Sequence, residues 1–295
     1  MEIFRFPFKA MGSACEIVIA DTGHGKAQAK AAQAVQEVLR IEKKYSRYQS
    51  DSIVSKINDA AGKRKVECDP ETWELLNYAE QLYHLSEGLF DISSGILRKA
   101  WNFKEAKIPK PAELEALCTY INWASIEREN QNIYLPKIGM EIDFGGFGKE
   151  YGADKAAAIL TQFEVKHGYV NLGGDIHVVG PKPNEQAWVI GIQHPREANQ
   201  IIATIPLQGG ALATSGDYEK YFELDGKRYC HILNPRTGMP VEYWSSVSVL
   251  APVSLMAGSY TTIAMLLEKK GLAFLEEAGV SYFTCDSHCH VQFKK

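Results

Sequence analysis

The chain has 295 residues, 45% of them hydrophobic and 23% charged, with a formal net charge of −4. That is enough apolar material for one large core or two packed halves. The charge balance lacks the basic field that steers a protein to nucleic acid or anionic lipid, and no run of about 18 apolar residues offers a membrane span. The expected partners are small molecules and other proteins, with no nucleic acid and no membrane insertion.

The opening MEIFRFPFKAMGSACEIVIA alternates polar and apolar residues as a hairpin does. It carries neither the basic flank nor the apolar run of a secretory signal, so the expected location is cytoplasmic. The 6 cysteines are widely scattered, and reduced thiols are the default in that compartment. Residues 25–45 repeat apolar positions at helical spacing and are rich in alanine. A second helix follows, with Asp69 as N-cap, Pro70 at its first position and Leu75, Leu76, Ala79 and Leu82 as its buried stripe.

After Pro109 and Pro111 the pattern gives a short helix from near Ala112 and a pair of strands over residues 125–135 that turns at 129–132. Residues 140–160 read as strand, loop and helix. Strands follow near 169–179, 188–194 and 201–206, then an alternating pair through Tyr229 and a strand near 246–251. A helix near 256–269 and a final hairpin turning at Asp286 complete the chain. Runs of strands broken by a few helices point to an α+β fold. With no low-complexity linker, the expectation is one domain over 1–295.

Glycine-rich segments carry the chemistry. In DFGGFGK, 143–149, glycines and Lys149 stand just before a helix. Backbone N–H groups can approach an anion closely there, the helix start adds partial positive charge, and Lys149 adds a full one. Taken alone it is also an ordinary tight turn. NLGGDI, 171–176, is a second glycine pair at a strand end, and GGALATSGDY, 209–218, reads as a third polar glycine loop. Its Thr214 and Ser215 offer hydroxyls suited to phosphate or ribose oxygens. In YCHILNPRTGMP, 229–240, a strand brings His231 to a turn, as a base or hydrogen-bond donor, beside Arg236. Asp91 and Asp217 are further acids suited to function or to turn capping.

The ordered series MGS (11–13), YSRYQSDSIVSKIN (45–58), GLFDIS (88–93), DFGGFGKEYGADK, NLGGDI, ATSGDY and HILNPRTGMP resembles the ApbE family of flavin transferases across nearly the whole chain. The resemblance implies two related, intimately packed α+β halves with mainly antiparallel sheets and FAD in the cleft between them. It also implies Mg2+-dependent transfer of the FMN half of FAD to a Thr or Ser hydroxyl of a target protein, with release of AMP. Met11, Tyr48, Gly145, Gly146, Lys149, Thr214, Ser215 and Asp217 then fall at cofactor-binding positions, and His231 matches the catalytic histidine.

Two positions depart from the family pattern. Where it implies an aspartate and, four residues on, a threonine holding magnesium, this chain has Gly258 and Thr262; the carbonyl of Gly148 is a further implied metal ligand. Asn234 replaces an aspartate before Pro235. A hard cation seeks anionic oxygen, so two readings stand: an active FAD:protein FMN transferase, or an FAD-binding carrier or regulator without turnover.

Overall fold

The computed structural model describes residues 1–295. Strands β1 (Glu2–Ala10) and β2 (Ser13–Asp21) form the N-terminal hairpin. Met11 and Gly12 close it with φ of 51° and 70°, the paired left-handed geometry that suits the right-handed twist of a two-residue hairpin. Helix α1 (His24–Tyr45) turns Ala27, Ala31, Ala34, Val38 and Ile41 inward at spacings of four, three, four and three, the stripe expected of a helix lying on a sheet.

Next come α2 (Ile53–Asp59), β3 (Val66–Glu67) and α3 (Pro70–Leu85). Asp69 caps α3 by accepting from the Thr72 N–H, with Pro70 at the start of the helix. After α4 (Pro111–Cys118), β4 (Glu127–Glu129) and β5 (Asn132–Tyr134) join β3 in a small sheet. Helix α5 (Gly148–Gln162) leads into β6 (Gly168–Leu172) and β7 (Asp175–Gly180). A separate ribbon, β8 (Trp188–Gln193) with β9 (Ile201–Leu207), precedes β10 (Gly210–Gly216), and the ribbon of β11 (Tyr221–Leu224) and β12 (Lys227–Cys230) follows it. The chain ends with β13 (Trp244–Ala251), α6 (Ser254–Leu266), α7 (Gly271–Glu277), β14 (Ser281–Asp286) and β15 (Val291–Lys294).

The frame is an eight-stranded antiparallel sheet in the order β1-β2-β6-β7-β10-β13-β14-β15. Each half contributes four strands and two helices: α1 and α5 pack on the first half, α6 and α7 belong to the second. The halves meet where β7 pairs with β10 over Gly210↔Val178, Ala211↔His177 and Leu212↔Ile176, and where α5 packs on α6. Alanines face alanines between α1 and α5 (Ala27, Ala31, Ala34 with Ala153, Ala156, Ala157), which lets the two backbones approach closely.

The sequence reading needs correction at two places. Residues 140–144 form no strand. Their backbone is held by other partners: the Asn58 side chain donates to Ile142 O and accepts from Ile142 N, and Asp143 N donates to Ile92 O. The segment 209–218 is mainly strand rather than loop, because Ala211, Leu212 and Ala213 are buried and the strand pairs with β7 on one side and β13 on the other.

Candidate active site

The glycine segment 143–147 is pinned from beneath. Asp143 accepts from Gly145 N at 3.0 Å and from Arg47 Nη1 at 2.6 Å, and buried Arg47 also reaches Glu141 and Gly95 O. At Gly146 a Cβ would stand 2.9 Å from Phe90 Cζ, so the backbone passes over that ring only where a side chain is absent. Phe147 is buried and offers no side-chain cap to α5. The Gly148 N–H donates to Phe144 O at 2.7 Å, so the amides of this 15-residue helix left available to an anion are those of Lys149 and Glu150.

Two turns come together beside it. Gly173 and Gly174 link β6 to β7 with φ of 65° and 103°. A Cβ on Gly173 would lie 2.8 Å from Ser13 Cβ and 3.9 Å from Lys149 Nζ, which puts the N-terminal hairpin turn, the second glycine pair and Lys149 in one neighbourhood. Met11 extends its methyl group toward Gly152 in the same helix turn region, 3.0 Å from where a Cβ would stand, while its N–H donates to Glu42. Lys149 Nζ meets Asp175 Oδ2 at 2.7 Å. Burial pulls the ammonium down, but Asp175 and Glu150 more than offset it and hold it raised and charged. Burial raises the Asp175 carboxyl, and Lys149 opposes that.

From the second half of the sheet, β10 and α6 bring hydroxyls. Thr214 Oγ1 lies 2.7 Å from Ser248 Oγ, and Ser215 Oγ lies 2.8 Å from Thr261 Oγ1 and 3.3 Å from Thr262 Oγ1. Thr261 Oγ1 donates to Gly258 O at 2.8 Å. Glu150 packs against Gly258, and its carboxyl is raised by burial and by Asp175, with Lys149 opposing.

His231 follows β12, its N–H donating to Lys220 O. The residue is open to solvent, yet protein surrounds much of the ring; that loss of water, then Lys220 and Lys149, push its imidazole down to about 4. It is therefore neutral near pH 7, and the influence of Lys149 ties it to the same cluster. The turn after it is anchored by Gly238 N to Asn234 O and by Trp101 Nε1 to Gly238 O, both at short range (2.8 and 2.7 Å). Arg236 donates to Glu87 O.

The sequence-derived set thus divides. Met11, Gly145, Gly146, Gly148 and Lys149 gather at the start of α5, and Ser215 and Thr262 form one hydroxyl cluster on the facing element, with Thr214 beside Ser215 on β10. Tyr48 is 82% exposed beside the Arg47 clamp, an uncovered ring next to the glycine segment. Asp217 does not join them: Arg196 engages both its oxygens at 2.7 Å, Arg228 adds a third contact, and the acid anchors its loop instead. The sequence reading passed over Glu150 and Asp154, acids spaced i, i+4 on α5 and so on one face; that spacing was the available signal. A surface groove of about 770 Å³ beside α4 is lined by Leu114, Arg236 and Met239 among others and by none of this cluster.

A family model, ApbE family, matches residues 11–284. The chain belongs to the ApbE family. It is 32% identical over 257 residues to the FAD:protein FMN transferase of Klebsiella pneumoniae (strain 342), covering 85% of this chain and 79% of that protein. Its identity to the FAD:protein FMN transferase of Treponema pallidum (strain Nichols) is 31%, over 83% of this chain and 74% of that one. The crystal structure of the ApbE protein from Thermotoga maritima superposes with a TM-score of 0.92 at 30% identity, covering 100% of this chain and 97% of that chain.

Proposed function

We propose that this ApbE-family chain is an FAD:protein FMN transferase that takes FAD as substrate and moves its FMN half to a Thr or Ser hydroxyl of an acceptor protein. The observation that carries the reading is the meeting of an uncapped helix start, a charged Lys149, a hydroxyl cluster and a neutral histidine. The acceptor oxygen forms a bond to the FMN phosphorus, the bond from that phosphorus to the AMP oxygen breaks, and AMP leaves with the electron pair. Neutral His231 takes the hydroxyl proton. The first amides of α5 and Lys149 face charge that grows on the phosphate oxygens, where fixed donors act most strongly. Met11, Tyr48 and the glycines Gly145 and Gly146 shape the cofactor side, with Thr214 and Ser215 on the opposite wall.

The oxygens on offer to a metal are hard: the Thr262 hydroxyl, the Gly148 carbonyl that the family resemblance implies, and the Glu150 carboxyl, which packs against Gly258 and whose Oε2 is buried with no partner. That set fits Mg2+, which binds through one or two carboxylates plus substrate phosphates. When bound, Mg2+ supplies charge neutralisation on the pyrophosphate. The proposal places the reaction in the cytoplasm, in keeping with six unpaired cysteines; no helix is long and apolar enough to cross a membrane.

His231 separates binding from transfer. H231N is expected to bind FAD as the native chain does, by the visible flavin spectrum, while AMP release in the presence of an acceptor falls by about 100-fold or more. Native-like AMP release by H231N would remove the assigned base and the mechanism with it.

A further inference from the structure

Helices α5 and α6 are locked together by an acid that belongs to neither catalysis nor the flavin site. Asp154 on α5 accepts from Ser254 N at 2.7 Å and Leu255 N at 2.9 Å, capping α6, and its Oδ1 also lies 2.6 Å from His177 Nδ1. One turn earlier on α5, Glu150 meets Gly258, one turn later on α6. A Cβ on Gly258 would stand 2.4 Å from Glu150 Cγ and 2.5 Å from Glu150 Oε1. The carboxyl of Glu150 therefore fills the space that a side chain at 258 would claim.

These two contacts show that the helices run in opposite directions past each other. Stepping back along α5 from Glu150 toward Gly148 is stepping forward along α6 from Gly258 toward Thr262, at about 1.5 Å per residue on each helix. The Gly148 end of α5 and the Thr262 hydroxyl thus lie to the same side of the Glu150 carboxylate. Glu150 is 7% exposed, and its Oε2 is buried without any hydrogen-bond partner. A buried carboxylate oxygen normally has a donor or a cation. The other nearby acid, Asp175, is already paired with Lys149. No group of three or more His, Cys, Asp or Glu side chains is arranged to hold a metal, so one carboxylate must serve with hydroxyl, carbonyl and phosphate oxygens.

We propose that Glu150 is the carboxylate ligand of the divalent cation in this chain, delivered from α5 onto the Gly258 face of α6 in place of an acid at 258. The assignment rests on the transferase reading and supplies the anionic oxygen whose loss at Gly258 favoured a carrier without turnover. Gly258 is then a requirement, since any side chain there would displace the ligand.

The test is a Mn2+ titration of the full chain followed by electron paramagnetic resonance, with FAD present, alongside FAD binding measured in chelator. E150Q keeps the shape and removes the charge. It is expected to weaken Mn2+ binding by at least about tenfold while its circular dichroism and FAD affinity in chelator stay native. E150G/G258D, which moves the acid from α5 to α6, is expected to regain most of the lost Mn2+ affinity. Native Mn2+ affinity in E150Q, or no Mn2+ bound by the native chain with FAD in place, overturns the assignment alone. Failure of the native chain to bind FAD in either condition overturns the transferase reading and the assignment together.

Discussion

His231 and Lys149 show how neighbouring side chains set the chemistry of this site. A base must be neutral to accept a proton, and His231 is held down to about 4 by its protein surroundings, Lys220 and Lys149. Protonation as the pH falls through that value removes the base, so kcat/KM, which reports the free enzyme, is expected to hold its plateau well below the usual histidine range and to fall only near pH 4. The pyrophosphate of bound FAD favours the imidazolium, which raises the pKa in the complex, so the acid limb of kcat should lie at higher pH than that of kcat/KM. Steady-state rates across pH measure both limbs; an unchanged limb in H231N would assign it to another group. Lys149 has a structural duty as well. In K149M the buried Asp175 loses its partner, and urea unfolding is expected to show a loss of about 2 kcal/mol, less than the ~3–5 kcal/mol of a fully buried pair because Lys149 keeps some contact with water. Lys149 and His231 could be singled out from sequence because their motifs are local. The pairing of Asp217 with Arg196 and Arg228 could not be read from its motif, because both partners lie outside it, and Glu150 escaped notice because an acid in the first turn of a helix is unremarkable until the facing residue is known to be Gly258.

The elements explain how single residues are brought to bear. Helix α6 has no side-chain cap of its own, and the cap comes from Asp154, a hundred residues earlier in the chain. D154A therefore strips two N–H groups of their acceptor and unties α5 from α6. The expected cost is about 1–2 kcal/mol in urea unfolding, with a loss of FMN transfer beyond it as the Glu150 and Thr262 levels separate; native stability in D154A would refute the capping role. Most elements were readable from the sequence: the α1 stripe, the Asp69–Pro70 start of α3, the N-terminal hairpin and the closing hairpin all follow local pattern. The failures share a cause. Residues 140–144 read as the strand leading into the glycine loop, but Asn58 and Ile92 take their hydrogen bonds. Segment 209–218 read as a loop by its glycines, but burial and pairing on both sides make it a central strand. In each case the deciding partner is remote in sequence.

Across the whole molecule, two four-strand halves share one sheet, and the proposed site draws on both. The first half sends the glycine segment, Lys149 and Glu150; the second sends Ser215, Thr262 and His231. The order of motifs along the chain pointed to the family, but neither the β7–β10 seam nor the α5–α6 contact can be read from order alone, because both depend on pairing between halves. The joint site is meaningful only if both halves act on one substrate. The most direct measurement is the intact mass of a threonine-bearing acceptor protein after incubation with this chain, FAD and Mg2+, with AMP quantified in the same mixture. The expected result is one FMN added per acceptor with an equal amount of AMP, and no addition when the acceptor threonine is replaced by valine. FAD bound to the chain with neither adduct nor AMP, whichever divalent cation is supplied, would contradict the account.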